Sequence, residues 1–521
     1  MSKPFTITTA ISYPNGRPHI GHAYEAIATD AIARFQRMMG RDVFFQTGTD
    51  EHGLKMDQAA RARGITPREL ADEMASYFKQ MDDILKISYD RFIRTSEPDH
   101  HAASQALWKA MEANGDLYLG RYEGWYSVRD EAFYDEKELI EGGEGAKLSP
   151  QGTPVEWTVE ESWFFKLSKY EQPLLDLYAA QPDFIRPDSR RNEIMRFVEG
   201  GLSDLSISRT SFDWGVKVPG SDGHVMYVWV DALTNYLTGC GYPDDSERMA
   251  RYWADTGDII HIIGKDIVRF HAVYWPAFLM SAKLTLPKHV FGHGFLLNRG
   301  EKMSKSVGNV ADPIALAERF GVDQLRYFLL SEVTFGNDGS YSAEAIVQRA
   351  NSDLANSFGN LAQRTLSFIA KNLEGKLPQG GTAAAADDEL RALIGTATND
   401  FVAAMSDLAP SQAIETWMRA VFACNQYIDA QAPWALRKTD PDRMIAVLAT
   451  LYEAIGNLAL MIRPVIPTSS DALLDQMGIG FTCRLIQDIG SSWYGPLVDS
   501  GFVLSPPKPL FPRLELTEAD A

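Results

Sequence analysis

The sequence predicts an α/β protein in which a doubly wound parallel sheet carries a long insertion and is followed by a helical region. Strand and helix patterns alternate over residues 5–113, the alternation stops at 116, and it resumes at 225. From 343 to about 475 nearly every segment has the spacing of an amphipathic helix. Because successive strands are separated by helices, the strands are expected to pair in parallel.

The alternating part begins with residues 5–11, a β-branched run typical of a strand, followed by a turn at 14–16. Apolar residues at helical spacing predict a helix over 19–39, and Thr66 with Glu69 has the capping-box spacing of a helix start. The same criteria predict strands at 43–45, 225–230 and 259–264, and helices at 99–113, 312–330, 343–373, 387–407, 411–429 and 441–462.

Length and composition exclude several classes of protein. At roughly 150 residues per domain, 521 residues suggest about three domains. The net charge of −19 argues against a protein that coats nucleic acid non-specifically, although a local, shaped site is compatible with it. Three cysteines far apart in the chain exclude a disulfide scaffold and a four-cysteine zinc site. Without an apolar leader or a run of 18 apolar residues, we expect a cytoplasmic protein outside the membrane.

The first segment with chemical potential is His19-Ile20-Gly21-His22, between the first strand and the first helix. A helix N-terminus presents unpaired N–H groups and the positive end of the helix dipole, and therefore suits a phosphate. The two histidines, three residues apart, share a face and suit hydrogen bonding to a nucleotide phosphate. Taken alone, the pattern is equally compatible with half of a metal site or with capping histidines.

The second segment is the glycine-flanked run from Gly300 to Gly308, which contains Lys302 and Lys305. Two lysines in such a loop suit a clamp that closes on a triphosphate as negative charge develops. On its own this segment is also compatible with an ordinary surface loop.

Together the two segments, HIGH at 19–22 and KMSKS at 302–306, resemble the class I aminoacyl-tRNA synthetases. The flanking residues are similar to the methionyl branch in particular, from residue 5 to about 465. They are AISYPNG at 10–16, GTDEHG at 48–53, YVWVDA at 227–232 and IGKDIVRFHAVYWPAFL at 263–279.

The resemblance implies a Rossmann-type catalytic domain, split by a connective insertion, and an all-α anticodon-binding domain. We expect the first half of the catalytic domain at 1–115 and the insertion at 116–222. The remaining expected parts are the second half at 223–291, a stem-contact segment with the KMSKS loop at 292–342, and the anticodon domain with its tail at 343–521.

The resemblance also implies ATP-dependent ligation of L-methionine to tRNA(Met) through a methionyl-adenylate, with Mg²⁺ bound alongside the triphosphate. His19, His22, Lys302 and Lys305 match the catalytic positions, which also bind ATP together with Gly21 under the adenine and Asp266 at the ribose. The positions that match the amino-acid pocket are Asp50, expected to pair with the substrate ammonium, and Ile11, Tyr13, Trp229, Ala232, Tyr236, His271 and Trp275. Each of these aromatic residues, taken alone, is compatible with plain core packing.

The anticodon is expected to bind Asn360, Arg364 and Trp434, which match the family positions for that role. Asn360 and Arg364 are four residues apart and so share one face of a helix. Trp434 follows Pro433 at a helix boundary, where it suits stacking on a base. The alternatives are a solvated helix face for the first two residues and a buried core position for the tryptophan.

The chain departs from the family pattern where many methionyl enzymes carry a zinc knuckle. The expected ligand positions are occupied by Ser127, Asp130 and Ser149, so we predict no bound zinc. Since the sequence stops at Ala521, without an appended dimerising domain, we expect a monomer. Two rival hypotheses are a synthetase for another amino acid and a non-catalytic tRNA-binding paralogue.

Overall fold

The N-terminal part alternates between strands and helices, as the sequence predicts. The computed structural model describes residues 3–14, 16–130, 132–142, 146–254, 257–298, 301–302, 311–490 and 493–517, and of 132, 133, 301 and 302 the backbone alone. The first elements are β1 (Pro4–Thr8), α1 (Ile20–Met38), β2 (Asp42–Thr49), α2 (Leu54–Arg63), α3 (Pro67–Ile84), β3 (Arg91–Arg94) and α4 (Pro98–Ala113). The predicted capping box is present, with Thr66 accepting a hydrogen bond from the Glu69 backbone N–H.

The next region is built around a long antiparallel hairpin. Its strands are β4 (Leu117–Ser127), β5 (Ala132–Tyr134), β6 (Ile140–Glu141), β7 (Lys147–Leu148) and β8 (Glu156–Phe165), and β4 pairs with β8 along its length. Short 3₁₀ turns occupy Glu136–Glu138 and Leu167–Tyr170. The chain continues through α5 (Glu171–Ala180), β9 (Ile185–Arg186), α6 (Asp188–Glu199), β10 (Leu205–Ser206), β11 (Ser208–Arg209) and β12 (Val225–Met226).

The strand predicted at 225–230 ends early. Only Val225–Met226 is a strand, and α7 (Val228–Gly239) begins two residues later. A short, wholly apolar run does not distinguish a buried strand from a buried helix, and here the helix is buried on nearly every side. The elements that follow are α8 (Ser246–Tyr252), β13 (Asp258–Gly264), a 3₁₀ turn (Lys265–Ile267), a π-helical turn (Phe270–Tyr274), α9 (Trp275–Ala282) and β14 (His289–His293).

In the described part of the chain, six strands form the central sheet in the order β3-β2-β1-β13-β14-β9, and every pair is parallel. Strand order reverses at β1, so the carboxyl ends of β1 and β13 flank the crevice where such sheets bind ligands. The edge strand β9 lies within residues 116–222, so the chain returns to the catalytic sheet before the range expected for the insertion ends.

A small three-stranded sheet joins the catalytic part to the helical region. It consists of β15 (Leu296–Asn298), β16 (Glu301–Lys302) and β17 (Gly339–Tyr341), with α10 (Pro313–Phe320) and α11 (Val322–Glu332) between the last two strands. The helical region then comprises α12 (Ala343–Arg349), a π-helical stretch (Ala350–Gly359), α13 (Asn360–Asn372), α14 (Ala385–Ser406), α15 (Pro410–Gln431), α16 (Pro433–Thr439), α17 (Pro441–Ile462), α18 (Pro467–Gln476), 3₁₀ turns (Phe481–Cys483 and Ile486–Asp488) and α19 (Tyr494–Asp499).

Helix α17 forms the centre of the helical region. By length and composition it is apolar enough to cross a membrane, but 89% of its most apolar stretch is buried inside the protein, as in a core helix. One hydrophobic cluster runs without a break from α1 through α11 to this helix, so the catalytic and helical parts share a core.

A fully buried ion pair lies within that shared core. The guanidinium of Arg326 on α11 donates to Asp30 on α1 at 2.7 Å and to the carbonyl oxygens of Leu85, Pro464 and Val465. Arg326 and Asp30 thereby connect the helix that follows the HIGH motif to the end of α17. A buried guanidinium needs this many acceptors, because each unsatisfied N–H would be costly.

Candidate active site and anticodon surface

A cavity of about 490 Å³ opens at the carboxyl ends of β1, β2, β13 and β14. This is where a doubly wound sheet binds its ligand. The cavity brings together most of the predicted residues, which lie far apart in sequence: Ile11, Tyr13, His19, Gly21, His22, Asp50, Trp229, Ala232, Tyr236, Asp266 and His271.

The two histidines of the first motif cap α1. Nδ1 of His19 accepts a hydrogen bond from the Gly21 backbone N–H, and Nδ1 of His22 accepts one from the His19 backbone N–H, both at 3.1 Å. Because a backbone N–H can only donate, each Nδ1 is unprotonated and the ring proton lies on Nε2. The capping interpretation is therefore correct, and it also presents two neutral N–H donors at the positive end of a helix.

Gly21 is required by the ring of the first histidine. A Cβ atom at this position would lie 2.9 Å from Cε1 of His19, closer than side chains tolerate. The rings of His19 and His22 stack at 3.8 Å over the same turn. The glycine thus leaves room for the imidazole of His19 at the start of the helix.

The other wall of the cavity is aromatic. Trp229 stacks on Phe270 at 3.7 Å, and the hydroxyl of Tyr236 lies 2.7 Å from Nε2 of His271. Nδ1 of His271 lies 3.0 Å from the carbonyl oxygen of Ile267, so it carries the proton and Nε2 accepts from the tyrosine. Burial lowers the pKa of His271 to about 4, which keeps the ring neutral at pH 7.

One predicted pocket residue lies behind the cavity wall. Trp275 is fully buried and is not among the residues that line the cavity. It packs against Tyr236 and Trp253, with ring centroids 5.9 and 6.1 Å apart. Its position matches the core-packing alternative for this one aromatic residue.

Asp50 lies at the end of β2 and is buried at the cavity wall. Its backbone N–H donates to the carbonyl oxygen of Ser12 at 2.9 Å, which holds the turn against the end of β1. Tyr13, on the same side, accepts a hydrogen bond from the Met56 backbone N–H, and Lys55 lies over its ring. A carboxylate in this enclosed place suits a substrate cation.

The second motif is described only in part. The backbone of Lys302 pairs with Leu297 in the small sheet beside the cavity. Only the backbone of Lys302 is described, so its side chain lies outside the described part of the structure. Lys305 lies outside the described residues.

The three predicted anticodon residues lie on one surface of the helical region, far along the chain from the cavity residues. The guanidinium of Arg364 lies 5.2 Å from the ring centroid of Trp434 and pairs with Asp429 at 2.9 Å. Asn360 is exposed one turn before Arg364 on α13. Trp434 is 45% exposed, which rules out the buried-core alternative.

The turn between α15 and α16 explains that exposure. Ala432 adopts a left-handed conformation with φ of 43°, and Pro433 begins α16 as a buried first residue. The chain therefore changes direction over two residues, and Trp434 projects outward at the start of the new helix.

Comparison with known proteins identifies the family. The model of tRNA synthetases class I (M) matches residues 5–366, and that of the anticodon binding domain of methionyl tRNA ligase matches 377–520. The methionine–tRNA ligase of Brucella suis is 58% identical over 99% of this chain and 98% of its own length. That of Mycobacterium bovis is 54% identical over 98% of both chains. The chain belongs to the methionine–tRNA ligases of class I.

Solved structures of the family give the same result. Mycobacterium tuberculosis methionyl-tRNA synthetase in complex with methionyl-adenylate matches with a TM-score of 0.94 and 54% identity, covering 98% of this chain and all of that one. The apo form of the same protein matches with a TM-score of 0.88 and 50% identity, covering 99% of both chains. The predicted family, fold class and ligase activity are confirmed.

Within this family site, the structure adds an ion pair that sequence reasoning missed. Glu25 and His293 line the cavity 2.7 Å apart, and Glu25 also accepts from the Ala10 backbone N–H at 3.0 Å. Burial disfavours the charged imidazole, but the hydrogen bond to Glu25 outweighs this and raises the pKa of His293. Glu25 follows His22 by three residues on α1, a spacing that places both on one face and was visible in the sequence.

The insertion also reaches the cavity, which nothing in the sequence indicated. Arg129, Asp130, Gln151 and Thr153 are among the lining residues. They belong to the turns that match the zinc knuckle of many methionyl enzymes. Here Asp130 accepts from the hydroxyls of Ser149 at 2.6 Å and Thr153 at 2.5 Å, and the hydroxyls of Ser127 and Thr153 lie 2.8 Å apart.

Proposed function

We propose that the cavity activates L-methionine with ATP and that the residues predicted from the sequence carry out the steps. The single observation that supports this most directly is the meeting of a helix N-terminus bearing two N–H donors with an enclosed aromatic pocket in one cavity. In the first step the methionine carboxylate attacks the α-phosphorus of ATP and pyrophosphate leaves. In the second, a terminal ribose hydroxyl of tRNA(Met) attacks the methionyl carbonyl and AMP leaves.

The phosphate side of the site depends on His19 and His22. Their Nε2–H groups donate to the phosphate oxygens and stabilise the charge that develops at phosphorus, without themselves changing protonation. Lys302 and Lys305 complete the clamp on the leaving pyrophosphate, Asp266 binds the ribose, and Gly21 lies under the adenine. Mg²⁺ arrives with the triphosphate, since such ions are usually held by phosphate oxygens and water.

The amino-acid side of the site depends on Asp50 and the aromatic wall. Asp50 pairs with the methionine ammonium, while the thioether extends between the other wall residues: Ile11, Tyr13, Trp229, Ala232, Tyr236 and His271. Contacts between sulfur and aromatic rings contribute about 0.3–1.5 kcal/mol each. Trp275 supports Tyr236 from behind and shapes the pocket without touching the substrate.

The anticodon of tRNA(Met) binds the exposed surface of the helical region. Trp434 stacks on one base, Arg364 contacts the neighbouring base or phosphate, and Asn360 hydrogen-bonds a base edge. The exposed tryptophan beside a cation supports this assignment, because such a pair suits an unstacked base. The anticodon domain itself extends over 343–521, after the stem-contact segment at 292–342. The catalytic halves lie at 1–115 and 223–291, and the range 116–222 holds the insertion together with the strand β9, which belongs to the catalytic sheet.

We also propose that the chain binds no zinc and acts as a cytoplasmic monomer outside the membrane. Three hydroxyls and one carboxylate are a poor donor set for zinc, which prefers thiolate and imidazole. Among the described residues, no group of three His, Cys, Asp or Glu side chains is arranged to hold a metal. Metal analysis of the purified protein and light scattering test these points, and one zinc per chain or a stable dimer would contradict them.

Methionine-dependent exchange of radioactive pyrophosphate into ATP tests the activation step. We expect exchange with methionine and none with leucine, isoleucine or cysteine. Exchange with another amino acid alone would favour a different synthetase, and binding of tRNA without any exchange would favour a non-catalytic paralogue.

A further inference from the structure

A buried carboxylate outside the cavity binds two histidines. Asp231 on α7 has no exposed surface, and its two oxygens lie 2.6 Å from Nδ1 of His52 and 2.6 Å from Nε2 of His100. Burial alone would raise the pKa of Asp231, but the electrostatic interaction with His52 and the hydrogen bonds to both histidines lower it, so the carboxylate is ionised at pH 7. The three residues are not among those that line the cavity, so they do not touch the substrate.

The three partners come from separate parts of the catalytic domain. His52 belongs to the turn after β2, His100 to α4, and Asp231 to the first turn of α7. Nδ1 of His100 lies 3.0 Å from the hydroxyl of Thr238, which is also on α7. His100 therefore contacts α7 at two points about two helical turns apart. The cluster therefore fixes α7 against both α4 and the turn.

That turn carries the carboxylate of the amino-acid site. Asp50 lies two residues before His52, and Glu51 lies between them. Glu51 is itself fully buried and pairs with Arg94 through both oxygens, at 2.7 and 3.0 Å. The turn is thus held through Glu51 by Arg94 and through His52 by Asp231, and Asp50, directly before these two residues, faces the cavity.

The helix on the other side of the cluster carries the aromatic wall. Asp231 is flanked on α7 by the wall residues Trp229 and Ala232, and Tyr236 follows just over one turn later. Any shift of α7 relative to the turn changes the distance between the Asp50 carboxylate and the thioether pocket. Methionine has a fixed number of bonds between its ammonium and its sulfur, so that distance determines how well it fits.

We propose that Asp231, acting through His52 and His100, is a positioning residue that sets the spacing between the ammonium site and the thioether pocket. The inference rests on the proposed function, because it assumes that Asp50 and the aromatic wall bind one methionine. It predicts that loss of the cluster weakens the binding of methionine and leaves the binding of ATP unchanged. The reason is that none of the hydrogen bonds described above joins the cluster to the start of α1, where the phosphates are proposed to bind.

The central test compares Asp231→Asn with a matched buried aspartate. Asp231→Asn keeps the shape but turns one acceptor into a donor that faces an imidazole N–H. Because a hydrogen bond to a charged group is lost, we expect Asp231→Asn to raise KM for methionine in pyrophosphate exchange about tenfold to a hundredfold. KM for ATP should stay within about twofold of wild type. Asp116→Asn is the control, because Asp116 is equally buried, accepts from Lys169, Tyr170 and Ser281, and lies outside the cavity lining.

A second pair of variants keeps the proposal falsifiable if Asp231→Asn fails to fold. His52→Asn retains an N–H donor near the position of Nδ1, whereas His52→Ala removes it. We expect His52→Asn to bind methionine nearly as well as wild type and His52→Ala to show the raised KM.

The outcomes separate this inference from the proposed function. Equal increases in KM for methionine and ATP, or a KM for methionine raised as much by Asp116→Asn, would overturn the positioning role. Equal defects in the two His52 variants would do the same. Failure of the wild-type chain to exchange with methionine would instead overturn the proposed function.

Discussion

The cavity and the proposed anticodon surface, formed by Asn360, Arg364 and Trp434, use aromatic residues in opposite ways. In the cavity, Trp229 and Tyr236 are packed by neighbouring rings, and the hydroxyl of Tyr236 has its partner, His271, inside the protein. On the helical region, Trp434 is 45% exposed and has a guanidinium beside its ring. The cavity is suited to a small molecule that it encloses, whereas the surface is suited to a base delivered by a much larger partner.

This difference means that the two regions are expected to fail separately. Damage to the cavity abolishes amino-acid activation and, as a consequence, charging of tRNA. Damage to the surface impairs charging alone, because activation needs no tRNA anticodon. The buried pair of Arg326 and Asp30 is the exception, since it lies in the core shared by both regions.

Replacing Arg326 is expected to have the largest effect. Arg326→Met leaves the Asp30 carboxylate buried beside fewer donors, so we expect the free energy of unfolding to fall by about 3–5 kcal/mol. Urea denaturation followed by circular dichroism measures this change. At elevated temperature, amino-acid activation and tRNA charging should decline in parallel as the Arg326→Met protein unfolds. A substitution on the surface around Trp434 should not show this parallel decline.

A second arginine that bridges the same two parts provides the control. Arg186 on the edge strand pairs with Asp407 at 2.8 Å, but the aspartate is 70% exposed. Such a surface pair contributes roughly 0–1 kcal/mol, so Arg186→Met should change stability little. Similar losses in both variants would contradict the special role given to the buried pair.

Removing the Nε2 donor of His22 is expected to have the next largest effect. His22→Asn places an oxygen near the position of Nδ1 and so preserves the cap on α1, while no atom replaces Nε2. Loss of one donor to developing charge typically lowers kcat by about 10²–10³, measured as pyrophosphate exchange.

The complementary variant His22→Gln reverses the two properties. It retains a donor near Nε2 and loses the capping acceptor, so helix stability should fall while more of the exchange activity survives. If His22→Asn exchanged pyrophosphate as well as wild type, capping would be the only role of this histidine.

The anticodon surface is tested by Trp434→Ala. Loss of one stacked base costs about 1–3 kcal/mol, so kcat/KM for tRNA charging should fall about fivefold to 150-fold while pyrophosphate exchange is unchanged. Phe422→Ala is a suitable control, because Phe422 is 50% exposed on the same region and has no assigned role. Equal effects of the two substitutions on charging would remove the basis for assigning Trp434 to the anticodon.

The smallest expected effect concerns the pH dependence of stability. His271, with its pKa lowered to about 4, stays neutral in the folded chain while the unfolded chain takes up a proton below about pH 6.5. Stability therefore falls on acidification, by about 1 kcal/mol between about pH 8 and pH 5.5 from this residue. Urea titrations of wild type and His271→Asn at both pH values measure it, and identical pH slopes would show that His271 is not held neutral.

The sequence predicted the catalytic region well where a motif joins a strand to a helix. Asp50 directly follows β2, and His19 and His22 stand at the start of the helix that follows β1, so the parallel order of the sheet was enough to bring them to one edge. The long amphipathic helices α1, α3, α4, α14 and α15 were also predicted to within a few residues, and α17 has the expected bounds, whereas α2, α5, α6 and α8 were not predicted. Long amphipathic patterns specify their own structure, because the apolar stripe defines the period and the buried side.

Other features depend on packing that one sequence does not reveal. The run at 228–230 is helical because its surroundings are apolar on all sides, and periodicity is then uninformative. Trp275 matches a pocket position by spacing, but Tyr236 stands between it and the cavity. Arg129 and Gln151 reach the cavity from a distant hairpin, and that approach is set by the fold of the whole insertion.

The wide π-helical stretch at Ala350–Gly359 has a consequence for how this protein tolerates insertions and deletions. A π turn holds about one residue more than an α turn, so a one-residue deletion there can close a wide turn to an α turn and leave the phase of α13 nearly unchanged. One residue deleted from the α-helical start of α13 would instead turn the rest of that helix by about 100°. Arg364 would then face away from Trp434, so single-residue deletions are expected to spare the proposed anticodon surface before Gly359 and to disrupt it after Gly359.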